Sequence, residues 1–180
     1  KRVGEILLGH YGERDCCQVT GLLNMMQFMR HASVHLQDPM TEPLTFIYFD
    51  VENFKSFNQR YSFQQGNRFL RYMADLLRES FTGDLIARFN DDHFVVATVI
   101  ENPGGQIQFI HDRIHVYDPQ LPMEVKAGIY RPSEDVMDIA LIIDRAKIAC
   151  NSIKSTSANC FTQITRFRIL INTTRNSSEA

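Results

Sequence analysis

Length, composition and charge place this chain among ordinary globular proteins: it has 180 residues, of which 44% are hydrophobic and 22% charged, and its formal net charge is −2. The length suits one domain with a full core, and the near-neutral charge disfavours nucleic acid as a partner. Because no apolar run approaches the roughly 20 residues of a membrane span and the four cysteines lack CxxC spacing, we predict a reduced, cytoplasmic protein without membrane insertion.

The start of the chain has little regular pattern, so we treat residues 1–19 as a lead-in segment. Apolar residues at i, i+3, i+4 and i+7 then predict a helix that runs to about Leu36, with Thr20 as its N-cap. These apolar residues are Leu22, Met25, Met26 and Met29. Two prolines within residues 38–43 predict a loop after this helix.

The next stretch, Leu44 to Asp50, reads LTFIYFD and predicts a buried central strand that ends in a carboxylate. Further along, residues 84–90 and 93–100 are two apolar strands separated by a short turn that begins with Asn. Such a turn is typical of a hairpin, because Asn tolerates positive φ. We expect this hairpin to bring Asp92 close to Asp50.

The remaining segments complete an alternation of helices and strands. They are a short helix with Phe54 and Phe57, an amphipathic helix with Phe69, Met73, Leu76 and Leu77, a helix over Ile107–Ile114, a strand over 123–130, a helix over 135–154 and a strand over 160–164. This order predicts an α/β (α+β) domain of the ferredoxin-like type over 20–164, with a central, mostly antiparallel sheet flanked by helices. In residues 165–180, Phe167, Leu170 and Ile171 have helical spacing and predict a C-terminal helix.

Several separated motifs occur in one recognisable order: TGLLN at 20–24, DVENFK at 50–55, DLIARF at 84–89 and GIY at 128–130. In this order they resemble the GGDEF domain of diguanylate cyclases, which make cyclic di-GMP from two GTP molecules. The resemblance extends from about residue 20 to residue 164. It implies a nucleotide-cyclase-type fold.

The family's signature, Gly-Gly-Asp/Glu-Glu-Phe, is altered here to Asn90-Asp91-Asp92-His93-Phe94. The resemblance implies that Asp92 is the vestige of the catalytic carboxylate and that Asp92, Asp50 and the carbonyl of Val51 form a weakened Mg²⁺ site. Asp91 places a carboxylate where a glycine lets the backbone approach the phosphates. Repulsion between like charges then predicts weakened GTP binding. His93 replaces the second acid, and imidazole is a poor Mg²⁺ ligand.

Four further residues match substrate-binding positions of the family. Asn58 corresponds to an Asn that binds guanine, whereas Asn67 replaces an Asp and is expected to soften the preference for guanine. Lys55 and Lys154 correspond to lysines that face the phosphates. Simpler roles stay open, because Asn58 and Asn67 suit helix caps, lysines are commonly solvated, and the two aspartates suit the ends of strands.

We therefore expect a degenerate GGDEF domain of a cyclic di-GMP signalling protein. It would be catalytically deficient, would act as a regulatory, dimerising or GTP-sensing module, and would adjoin an EAL phosphodiesterase or a sensory domain through a linker at 165–180. The first alternative is a weakly active diguanylate cyclase that forms homodimers. The second is an RNA-binding module of ferredoxin-like fold, which the net charge and the uniformly apolar central strand disfavour.

Overall fold

The computed structural model describes residues 14–133, 136–154 and 159–164. Its elements in chain order are α1 (Met25–Gln37), β1 (Thr45–Glu52), α2 (Phe54–Tyr61), α3 (Phe63–Ser80), β2 (Leu85–Arg88), β3 (His93–Thr98), α4 (Gly104–His115), β4 (Glu124–Tyr130), α5 (Ile139–Asn151) and β5 (Phe161–Ile164). The predicted C-terminal helix over 165–180 lies outside the described residues. No helix in the described part is long and apolar enough to cross a membrane.

The strands form one sheet in the order β2-β3-β1-β4-β5. The pairs β2–β3, β3–β1 and β1–β4 are antiparallel, and β4–β5 is parallel. The predicted α/β class and the mostly antiparallel sheet are therefore confirmed. The apolar run at residues 44–50 lies in and just before β1, the central strand. Because β1 is paired on both sides and covered by helices on both faces, nearly all of its side chains are buried, which explains the apolar run.

Two layers of helices cover the two faces of the sheet. On one face Ile47, Phe49 and Val51 of β1 belong to a core cluster that also contains the buried residues of α2, α3 and α4. On the other face Phe46 and Tyr48 belong to a cluster with the buried residues of α1 and α5. This alternation follows from the two-residue period of a strand.

The start of α1 differs from the prediction. The N-cap is Asn24, whose Oδ1 accepts a hydrogen bond from the backbone N of Gln27 at 3.0 Å, and Thr20 lies in the preceding turn. The backbone of Leu23 instead pairs with the outer edge of β2: its N donates to Ile86 O at 3.2 Å, and its O accepts from Arg88 N at 3.0 Å. This pairing holds the chain extended until residue 24.

The apolar face predicted for α1 is wrong at Met25 and Met26, whereas Met29 packs against the core as predicted. Met25 and Met26 are 47% and 73% exposed, whereas Phe28 and Ala32 are fully buried. The prediction counted Leu22, which lies before the helix, as its first position, and the packing of α1 on β2 and α5 decides which stripe is buried. Burial therefore falls on the stripe that faces the sheet.

Candidate functional site

The site is built at the end of the β1–β3 pairing. Asp50 of β1 lies opposite His93 of β3 at the end of their register, and β1 continues for two more residues, to Glu52, in its pairing with β4. The strand therefore does not end at Asp50 as the sequence predicted. Asp50 is 5% exposed, so its carboxylate lies inside the protein at the point where the hairpin turns away.

Two nitrogen donors hold the Asp50 carboxylate. Its Oδ2 accepts from His93 Nε2 at 2.7 Å and from Lys154 Nζ. Burial disfavours the charged form of Asp50, but the hydrogen bonds from His93 and Lys154 outweigh it, and the pKa of Asp50 lies below its usual value. The result is a buried carboxylate that remains ionised because cationic and polar donors surround it.

Asp92 is close to this cluster but in a different electrostatic state. Its Oδ1 lies 3.6 Å from His93 Nδ1, and its backbone O accepts from Val51 N at 3.2 Å. Burial, together with the nearby charge of Asp50, raises the pKa of Asp92. The two aspartates thus have pKa values shifted in opposite directions by their surroundings.

These residues line an open cleft of about 540 Å³. The structure gathers there Asp50, Val51, Lys55, Asp92, His93 and Lys154. The expected approach of Asp92 to Asp50 is therefore found. Asn58 and Asn67 are not among the residues that line the cleft, and the roles of all these side chains in substrate binding stay predictions.

Asn58 and Asn67 occupy the two helices beside the cleft. Asn67 is inside α3, whose N-cap is Ser62, so the capping alternative for Asn67 is wrong. Asn58 lies within α2, and its Oδ1 is buried without a hydrogen-bond partner among the described residues. It packs against Gly66 of α3: a Cβ at Gly66 would lie 1.8 Å from Asn58 Oδ1. Gly66 therefore makes room for the amide.

This contact predicts a coupling between the two positions. We expect Gly66→Ala alone to destabilise the protein by about 1–2 kcal/mol, because the new methyl forces the Asn58 amide to move. Asn58→Ala combined with Gly66→Ala should restore at least wild-type stability, since the obstructing amide is gone and alanine favours the helix. Urea denaturation of the four proteins of this cycle measures the coupling, and additive effects would contradict the contact.

A Mg²⁺ ion, as in cyclases of the resembled family, does not fit this arrangement. Magnesium needs several oxygen ligands in near-octahedral geometry. The Oδ2 of Asp50 is engaged by Lys154 and His93, and a divalent cation would meet the Lys154 ammonium there. Among the described residues no group of three His, Cys, Asp or Glu side chains is placed to hold a metal ion. The metal role assigned to Asp50, Val51 and Asp92 is not confirmed, and we derive no metal-dependent step from it.

Comparison with known proteins identifies the scaffold around this cleft. The family model described as diguanylate cyclase, GGDEF domain, matches residues 15–160. The chain belongs to the GGDEF family. A curated relative of this GGDEF chain, the Uncharacterized protein y4lL of Sinorhizobium fredii, is 25% identical over 158 residues, which cover 81% of this chain and 19% of that protein. The chain thus spans about a fifth of the length of this relative.

Solved GGDEF structures share the fold. The GGDEF domain of DgcB from Caulobacter crescentus, in complex with c-di-GMP, has a TM-score of 0.72 at 16% identity, with 86% of this chain and 98% of that chain covered. The S helix-GGDEF-EAL structure of Vibrio cholerae LapD, bound to c-di-GMP, has a TM-score of 0.70 at 17% identity, with 85% and 37% covered. At these identities the likeness establishes the fold alone.

Sequence reasoning missed how the GGDEF cleft is held together. It interpreted His93 as the replacement of an acid and Lys154 as a phosphate contact or a solvated charge, whereas both bond to Asp50. The strand register offered a signal for His93, because an antiparallel pairing of the two strands brings the residue after the turn opposite Asp50. Arg88 was also missed: its Nη2 donates to the carbonyl of Asp91 at 2.8 Å and fixes the signature turn.

Proposed function

We propose that this GGDEF domain is a catalytically deficient, regulatory module of a cyclic di-GMP signalling protein. The observation that carries the proposal is the engagement of Asp50 by His93 and Lys154. A carboxylate already neutralised by an ammonium is a poor ligand for a second cation, and cyclase chemistry depends on a metal at this position in the family. His93 and Lys154 thus stabilise the fold by binding the Asp50 carboxylate, which a cyclase would need to be accessible to a metal ion.

The exposed position of Asp91 changes one part of the argument from sequence. The sequence predicted that repulsion between Asp91 and the triphosphate weakens GTP binding. The Asp91 side chain is exposed, so water and salt screen its charge. We therefore attribute the weakened GTP binding of the proposal mainly to the engagement of Asp50 by His93 and Lys154, and only to a minor extent to Asp91.

Titration calorimetry with GTP, in Mg²⁺ and in EDTA, tests the proposal. We expect Mg²⁺ to strengthen GTP binding by less than about threefold, and Asp91→Gly to change it by no more than that, because Asp50 is already engaged by His93 and Lys154 and the Asp91 side chain is exposed. Incubation with GTP and Mg²⁺ followed by chromatography should give no cyclic di-GMP above a protein-free blank. A family member with an intact signature, run in parallel, controls for the assay.

Product formation would favour the alternative of a slow cyclase, in which two protomers each present one GTP. A strong dependence of GTP binding on Mg²⁺ would likewise contradict the proposal.

The proposal also includes the partners of the domain. The domain acts on a neighbouring EAL or sensory domain in the cytoplasm, with 165–180 as the linker, and it dimerises through its own surface. Support for an EAL neighbour comes from the LapD structure, in which a GGDEF and an EAL domain occur in one chain.

A further inference from the structure

A second cleft lies at the opposite end of the sheet from Asp50. It has a volume of about 400 Å³ and opens between the end of α1 and the segment that precedes α5. We call it the α1–α5 groove. Its apolar lining includes Leu36, Leu44, Val136 and Met137, and its acidic lining consists of Asp38 and Glu42. The cleft is within the size range of sites that accept a ligand or the side chains of a peptide.

The groove is acidic at its rim and apolar at its base. Leu44 is buried, Leu36 and Val136 are partly buried, and Met137 is 53% exposed. Neither lysine nor arginine is present among its described lining residues. Exposed methionine beside two carboxylates suits a partner that combines apolar side chains with positive charge.

The end of β5 lies at the same end of the sheet as the groove, so the segment of this chain that follows β5 is a candidate partner. Ile164, the last residue of β5, pairs with Tyr130 of β4, and Pro132 of the groove follows Tyr130 by two residues. Ile164 also packs against the same core cluster as Leu36 and Val136. Ile164, the last described residue of β5, is therefore at the same end of the sheet as the groove.

The sequence after Ile164 fits the groove in charge and reach. It reads TRFRILI over 165–171, with Arg166 and Arg168 on either side of Phe167 and without an acidic residue. Neighbouring strands are about 4.8 Å apart, and three extended residues span about 10 Å. Phe167 can therefore reach a groove that starts at the end of the adjacent strand.

We propose that residues 165–171 of this chain dock in the α1–α5 groove, with Phe167 against Leu36 and Val136 and the two arginines against Asp38 and Glu42. In this proposal the segment is extended, in place of the helix that the spacing of its apolar residues predicts. The groove is then an intramolecular binding site that fixes the direction in which the chain leaves the domain. It acts independently of the cleft around Asp50. The proposal stands whether or not that cleft binds a nucleotide.

Limited trypsin digestion of the full chain, followed by mass spectrometry, tests the docking. Trypsin cleaves after arginine, and Arg175 lies beyond the docked segment and serves as an internal reference. We expect cleavage after Arg168 to be at least about tenfold slower than after Arg175, because a docked backbone is protected. Met137→Glu should remove most of this difference. Val116→Glu, a matched change at a residue 67% exposed on the other face, should leave it intact.

A charge exchange gives a second, independent measurement. Glu42→Lys and Arg166→Glu should each speed cleavage after Arg168, and the two together should slow it again. Equal cleavage after Arg168 and Arg175 in the unmodified chain would overturn the proposal. So would protection that disappears on hundredfold dilution, since this would place the segment in the groove of a second copy. Circular dichroism checks that every variant is folded.

Discussion

Replacement of Gly128 by alanine is expected to destabilise the domain by about 3 kcal/mol or more. Gly128 lies in β4, and a Cβ there would be 2.1 Å from Ala146 O and 2.2 Å from Cys150 N, both backbone atoms of α5. A helix backbone cannot move aside as a flexible side chain can, so α5 must shift away from the sheet. Urea denaturation followed by circular dichroism measures the loss.

Gly105→Ala is the matched control. Gly105 lies in the first turn of α4, and a Cβ there would meet nothing within 4 Å. Alanine is a better helix former than glycine, so we expect this variant to be about 0.5 kcal/mol more stable than the wild type. If Gly128→Ala is tolerated as well as Gly105→Ala, the close approach of α5 to β4 is wrong.

Loss of the Lys154 ammonium is expected to have the next largest effect. Lys154→Met leaves the buried Asp50 carboxylate with His93 as its remaining partner among the described residues, and breaking a buried pair in this way typically costs about 3–5 kcal/mol. Because the Lys154 side chain is 30% exposed, we expect about 2 kcal/mol at pH 7. Measurement is by urea denaturation in EDTA. Lys55→Met, at an exposed lysine of the same cleft, should change stability by less than about 0.5 kcal/mol.

The double variant Asp50→Asn with Lys154→Met separates charge pairing from packing. It should be more stable than Lys154→Met alone, since no unpaired buried charge remains. An equally unstable double variant would show that the lysine stem, and not its charge, carries the effect.

The two aspartates should affect the pH dependence of stability in opposite senses. The folded-state pKa of Asp50 is lowered, so its contribution is present above about pH 4 and is lost as the pH falls through the folded value. The folded-state pKa of Asp92 is raised, so its contribution is lost as the pH rises from about 4 through the folded value. Unfolding free energies between pH 2.5 and 7 should therefore change slope oppositely in Asp50→Asn and Asp92→Asn. Slopes of one sign in both variants would contradict the assignment.

The fold was predictable because its signals are local and repetitive. The apolar run at 44–50, the Asn-containing turn after residue 89 and the stripe of α3 each follow from the period of a strand or helix. The start of α1 was not predictable in this way. The backbone of Leu23 pairs with β2, a partner more than 60 residues away, and this tertiary pairing prevails over the helical spacing of Leu22.

The candidate site was predictable in part. The approach of Asp92 to Asp50 follows from the hairpin, but the bond from Lys154 to Asp50 spans 104 positions in the sequence and carries no local pattern. Burial of a side chain is equally non-local, so the sequence did not indicate that Asp91 is exposed. The packing of Asn58 on Gly66 depends on how α2 is oriented against α3. A glycine in the sequence does not by itself indicate which side chain it contacts.

The pairing of Leu23 with β2 also matters for self-association. As the outermost strand, β2 would otherwise present free backbone donors and acceptors, which invite another chain to add a strand. The bonds from Leu23 to Ile86 and Arg88 occupy part of that row. The short segment before α1 is thus a protective cover, and a truncated chain that begins at residue 25 should aggregate more readily than one that keeps it.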